Sequence, residues 1–261
     1  MKKNIPPFIL LFTFLSFVLL TSQKCSESQK ELPESNVYPV NPIDFSQSML
    51  LYIKSELPFR AYLDTLEQIN LKKLHSELNT PNKKLAFWIN TYNSLVQIRL
   101  LENPNLFEDK NAFFKKNDIL IGGEKLSLND IENGIMRLKT DENITNLFIT
   151  KKFMLKTLEN RIHFTLNCGA TSCPAIAYYN PDELEQQLED ATRFYVENNC
   201  EYNAEKNEVL ISELFSWFKD DFSGEDGVVE FLKKYNLIPK DKSPTILFKK
   251  YDWGVKPANF N

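Results

Sequence analysis

Glycine is scarce in this chain, 7 among 261 residues, while phenylalanine reaches 20. So few flexible turn positions argue against an all-β body, and so many large apolar rings call for a well-packed, helix-rich one. Histidine is scarcer still, with 2, and cysteine numbers 4. Chemistry that needs an imidazole or a thiol therefore has few places to sit. An excess of basic charge is also missing, with 31 Lys and Arg against 35 Asp and Glu. That excludes the basic face a nucleic-acid partner requires. No internal repeat and no low-complexity block is visible. The remaining length suffices to bury a proper core.

The N-terminus reads as a targeting segment. Lys2 and Lys3 precede a short apolar core, Phe8 to Leu20, too brief for a confident membrane span. Residues 1–24 are thus expected to be a signal peptide, with residues 25–42 a polar linker and 43–261 a single globular domain. Cleavage before Cys25 would leave that cysteine lipidated, although Ser22-Gln23-Lys24 departs from the small apolar residues usual there. The expected place is the periplasm or cell envelope as a lipoprotein, with plain secretion the alternative and an uncleaved anchor a third. Losing Lys2, Lys3 and Lys24 takes the 31 basic residues to 28 and the net charge from −4 to −7. Cys168, Cys173 and Cys200 then remain, an odd number that allows at most one internal bridge.

Along the domain, helices are predicted over Asp44–Leu57 and in the stretch after Pro58. A longer one covers Leu85–Leu101, apolar nearly all round and so central and buried. DILIGGEKL reads as a hairpin around Gly122-Gly123. Ser127 and Asp130 resemble a capping box opening a helix over 128–138. Further helices are expected after Asn180-Pro181, in SELFSWFKDDF and over Asp226–Tyr235, with strands at Glu208–Ile211 and Thr245–Trp253. The sum is α+β: helices around a small antiparallel sheet.

Chemistry concentrates in RIHFTLNCGATSCP, residues 161–174. Its first half alternates apolar and polar residues like a strand, and Gly169 permits a turn. His163 is a candidate general base; the bland alternative is a hydrogen-bonded strand histidine. Cys168 and Cys173 are candidate nucleophiles. On a straight strand His163 and Cys168 lie about 16 Å apart, so Cys173, facing back across the turn, is the geometric partner. The alternative is a Cys168–Cys173 disulfide. A zinc site from these three residues has no standard ligand spacing and no evident fourth ligand, so neither metal nor cofactor is expected. Glu132 could orient His163 or serve as an acid–base group, and Asp252 is a second candidate to orient the ring. Arg137 could hold a carboxylate or phosphate, or close a structural ion pair. Asn90 and Asn93, one turn apart with Gln97, could present donors to a substrate or tie the buried helix to its loops. Trp88, Tyr92, Trp217, Phe218 and Phe222 read as core, and Lys219, Asp220 and Asp221 as solvated.

Five motifs occur in order: AFWINTYNSL (86–95), SLNDIENGIMR (127–137), RIHFTLNCGATSCP (161–174), LFSWFKDDF (214–222) and YDW (251–253). Together they resemble the family catalogued as domain of unknown function 547, over roughly residues 45–255. The resemblance implies no agreed reaction. It implies a site near Glu132 and His163. Asn133 stands where the family usually has histidine, so that histidine's role does not carry over. The family pattern holds the positions of His163, Gly169 and Pro174 more firmly than the cysteines, which counts against an obligatory thiol mechanism.

Two functions follow as expectations. One is an exported thiol/imidazole hydrolase or acyl-transfer enzyme acting on amide or ester bonds, peptide-like substrates being suggested by compartment alone. The other is a non-catalytic, membrane-tethered module that binds a small molecule or peptide and carries a structural Cys168–Cys173 disulfide.

Overall fold

The computed structural model describes residues 41–260. The expected signal peptide, most of the expected linker and the lipidation candidate Cys25 lie outside the described residues. Helix α1, Pro42–Lys54, begins within the expected linker: Asn41 caps it by accepting from the Ile43 and Asp44 amides, and Pro42 occupies the first turn. That placement suits proline, whose missing N–H is not needed there. Helices α2 (Arg60–Gln68) and α3 (Leu71–Glu77) follow.

Helix α4, Pro81–Glu102, is the axis of the fold. Thr80 caps it and Pro81 starts it, so it is a turn longer at its N-terminus than the apolar pattern predicts. Phe87, Trp88, Ile89, Tyr92 and Val96 are almost wholly buried on several sides of it. Its amides explain how a fully buried helix supports so much irregular chain. Asn90 donates to the Tyr179 carbonyl and accepts from the Tyr179 amide. Asn93 does the same for the Thr165 carbonyl and the Asn167 amide. Gln97 donates to Asn167 Oδ1 and accepts from the Ala258 amide. Each side chain supplies the bonds a neighbouring strand would have supplied, so buried loops keep their backbone partners.

That network overturns the strand expected at 161–167. Asn160–Phe164 is a 3-10 turn, with Glu159 accepting from the Arg161 amide and Thr165 Oγ1 donating back to the Ile162 carbonyl. The alternation misled because every residue from Arg161 to Asn167 is buried, polar ones included.

After helix α5 (Lys110–Lys115), the predicted hairpin forms as β1 (Ile119–Ile121) and β2 (Glu124–Leu126). Gly122 and Gly123 both take positive φ, as a two-residue hairpin turn demands. The capping box at Ser127 and Asp130 is present in both directions. The helix it opens is wider than expected: Asp130–Met136 is π-helical, and the Arg137 amide reaches back five residues to the Glu132 carbonyl. Helices α6 (Leu147–Phe153) and α7 (Leu184–Asn198) precede β3 (Cys200–Asn203) and β4 (Glu208–Ser212). Then come α8 (Leu214–Trp217), a 3-10 turn at Lys219–Phe222, α9 (Gly224–Lys234) and β5 (Thr245–Lys249).

The architecture is α+β, as expected, with one correction to the sheet. Strand order is β3-β4-β5; β3 and β4 are antiparallel, but β4 and β5 run parallel. A parallel neighbour needs a crossover, and the chain from α8 through α9 provides it.

Candidate functional site

The 3-10 turn at residues 160–164, the π-helical turn and the 3-10 turn after α8 converge on His163. Its Nε2 lies 2.9 Å from Asp221 Oδ2, and the residue is 3% exposed. Arg137 Nε donates to the same carboxylate oxygen at 2.5 Å. Phe218 stacks on the imidazole with centroids 3.9 Å apart and planes 12° from parallel, and the Arg137 guanidinium lies 4.5 Å from the centre of that same ring. The histidine is therefore fixed in position, tilt and rotation.

Electrostatics then decides its tautomer. Burial drives the His163 pKa below its ordinary value, and the hydrogen bond to Asp221 offsets this only in part. Burial opposes ionisation of Asp221, but hydrogen bonds from His163 and Arg137 outweigh it and hold the carboxyl well below the usual range. A neutral ring beside a carboxylate places its one proton on Nε2 and leaves the lone pair on Nδ1. Among the described residues no hydrogen bond to Nδ1 is present.

His163 lines a cavity of about 410 Å³. Its aromatic wall is Phe114, Trp217, Phe218, Tyr251 and Trp253. Trp217 and Trp253 stack at 5.4 Å and are 43% and 38% exposed, so they form the accessible part of that wall. The opposite character comes from Lys110, Asn111, Asn129, Glu132, Asn133 and Arg137. Glu132 Oε2 accepts from Tyr92 OH at 2.6 Å, and burial with the nearby Glu132 charge raises that phenol's pKa well above normal.

Cys168 and Cys173 are joined by a disulfide. This corrects the nucleophile reading of both: a bonded sulfur is neither a thiolate nor a zinc ligand. It also removes Cys173 as the partner of His163, a place Asp221 takes. Cys168 borders the cavity, and Tyr251 OH lies 3.2 Å from one sulfur and 3.3 Å from the other. Gly169, with φ +91°, makes the turn between them, and the Leu100 side chain leaves no room for a Cβ there. Among the described residues Cys200 is the free thiol, half-buried and with its pKa pushed up to about 11 by burial.

The other candidates fall into two groups. Glu132 and Arg137 stand with His163 on the cavity. Glu132 bonds Tyr92 and Arg137 bonds Asp221, so neither Glu132 nor Asp252 holds the ring. Asp252 is exposed and accepts from the Gly254 amide. Asn90 and Asn93 serve the loop network and do not line the cavity. Asp221, read as solvated, is 8% exposed and is the charge on which the site turns. It lies three residues after Phe218 and seven after Leu214, both cavity residues, so helical spacing carried the signal.

The family model described as "Protein of unknown function, DUF547" matches residues 75–196. Residues 75–196 are thus a segment similar to the DUF547 family. The match holds the first three of the five motifs, and with them Glu132, Arg137, His163 and the disulfide. Asp221, Trp217, Tyr251 and Trp253 come from beyond the matched DUF547 segment, so the cavity is completed by chain outside it. No curated protein and no solved structure matches the chain.

Proposed function

We propose that the domain hydrolyses a small amide or ester, with Nδ1 of His163 as general base and water, in place of a thiol, as nucleophile. The observation that carries this is the Arg137–Asp221–His163 chain ending on an aromatic cavity. In the step, a water O–H bond breaks and its proton passes to Nδ1. The hydroxyl oxygen bonds to the carbonyl carbon. As the C–N or C–O bond breaks, the imidazolium returns the proton to the leaving group. Asp221 stabilises the transient imidazolium, and Arg137 keeps Asp221 ionised, so the pair acts through the ring. Glu132 supplies a carboxyl group on the same cavity. The cavity has the size and mixed lining of a small-molecule site.

The test is turnover of p-nitrophenyl esters and anilides. Wild type is expected to turn over, and His163→Gln to lose roughly 10²- to 10⁴-fold. Equal rates in both would sink the proposal. The exposed tryptophans favour a second reading, binding without turnover. It predicts ligand-dependent quenching of Trp217 and Trp253 fluorescence with no product formed.

We also infer export with lipid attachment at Cys25. The basic, apolar N-terminus supports it, as does a disulfide of the kind that persists in oxidising compartments. Mass spectrometry of the mature N-terminus tests it: a diacylglyceryl cysteine is expected, and an unmodified Cys25 or an intact Met1 would refute it.

A further inference from the structure

Beside the aromatic cavity opens a second recess of about 240 Å³. The two share Lys115, Asn129, Asn133 and Arg137, so one ligand can reach into both. Lys139 adds a third cation to the recess, and Asp141 is its only acid among the described residues. Arg137 is answered by Asp221. Lys139 Nζ stands 4.0 Å from Asp221 Oδ1, at the outer limit of an ion pair, and its side chain is 41% exposed. Lys115 Nζ donates to Asn143 Oδ1 at 2.9 Å, a neutral partner that leaves two of its hydrogens unused, and its charge, like that of Lys139, acts on Asp141 without a direct ion pair. Asp141 is turned into its own loop, with Oδ1 accepting from the Asn143 amide and from Asn143 Nδ2. Three cations against Asp141 and Asp221 leave one positive charge, on lysines at the rim.

The amides are arranged in series. Arg137 donates to Asn133 Oδ1, Asn133 Nδ2 donates to Asn129 Oδ1, and Asn129 Nδ2 donates to the Asn143 carbonyl. That order fixes the floor and engages the Asn133 and Asn129 side-chain oxygens, leaving the lysine ammonium groups as the recess's mobile donors. A recess with one surplus positive charge, donors on its lysines and an aromatic chamber next door suits a monoanion attached to an apolar body.

We propose that this recess is an anion subsite and that the cavity's ligand is an apolar, ring-bearing molecule ending in a carboxylate. The inference rests on the hydrolase reading for the adjoining cavity and names its substrate class: a carboxylate-terminated amide or ester. A single charge favours carboxylate over a phosphate dianion. Arg137 belongs to His163's support, so Lys115 and Lys139 carry the recognition.

Isothermal titration with naphthalene-1-acetate and its neutral counterpart naphthalene-1-acetamide tests this on the full chain. The carboxylate is expected to bind about tenfold tighter than the amide at low salt. The preference should shrink as salt is raised. In the Lys115→Met/Lys139→Met double variant it should vanish through weaker carboxylate binding. Equal affinities in wild type, a preference that survives in the double variant, or binding of neither compound overturns the subsite. Failure of the hydrolase reading looks different: carboxylate-selective binding with no turnover of a carboxylate-bearing ester.

Discussion

Arg161 and Arg137 have each built a buried ion cluster, and the two clusters have opposite ends. Arg161 spends its fork on two carboxylates, with bonds of 2.8 Å to both Glu159 oxygens and of 2.7 and 2.9 Å to those of Glu185. Glu185 is 80% exposed, so water solvates the outer side of that cluster. Arg137 shares one carboxylate, Asp221, with His163 two residues beyond Arg161. Asp221 is 3% exposed as a side chain, and this cluster ends on a ring nitrogen that has no protein partner among the described residues. The first cluster is complete and ties the turn to α7. The second has no protein partner at its last nitrogen, and the residue that carries it lines the cavity. Carboxylate-bound arginine makes a clamp in one place and a support for an imidazole in the other, and the difference lies in whether the last group of the cluster has a partner.

The sharpest way to break this contrast is to remove one acid from each cluster. Asp221→Ala strands a buried guanidinium and unpins the imidazole, and should cost about 3–5 kcal/mol. Glu185→Ala removes an exposed partner and should cost under about 1 kcal/mol. Urea unfolding of both variants checks the pair; equal losses would mean the clusters do not differ in kind. Cutting the disulfide comes next. Cys168→Ala and Cys173→Ala each open the same short loop and should each cost about 2 kcal/mol. Thermal unfolding should give matching losses, since either change breaks the same bond, and unequal ones would point to a separate role for one sulfur.

The smallest effect is in pH. His163 is held below 6.5 in the fold, mainly by burial. As pH falls through 6.5 the unfolded chain takes up a proton that the folded one refuses, so stability declines. Asp221 adds a further decline below 3.8, where its carboxyl would protonate in the unfolded chain. His163→Gln should flatten the first decline and spare the second, as stability measured across the acid range will show. His75, also lowered by burial, contributes the same slope to both proteins and cancels.

Sequence patterns exposed the helical frame because its signals are local. Pro81 with the apolar run, the Gly122-Gly123 turn and the Ser127/Asp130 box each act within a few residues. The irregular course of the chain at 160–167 was illegible because Thr165 and Asn167, just after the 3-10 turn, find their partner Asn93 on α4, some 70 positions away. The same separation hid Asp221, which is 58 positions from His163. His163, Glu132 and Arg137 could be picked out by residue type, but their bonding order could not. The parallel pairing of β4 and β5 was equally hidden, since a strand's own sequence does not say in which direction its neighbour runs.

The chemistry of the site turns on the proton of His163. With only 2 histidines, the ¹⁵N-labelled imidazoles can be resolved by NMR and assigned with a His75→Gln variant. Near neutral pH the His163 ring is expected to be neutral, with hydrogen on Nε2 and an unprotonated Nδ1. A ring carrying its hydrogen on Nδ1, or an imidazolium with both nitrogens protonated, would contradict this, because the nitrogen not bonded to Asp221 would then have no lone pair to act as a base.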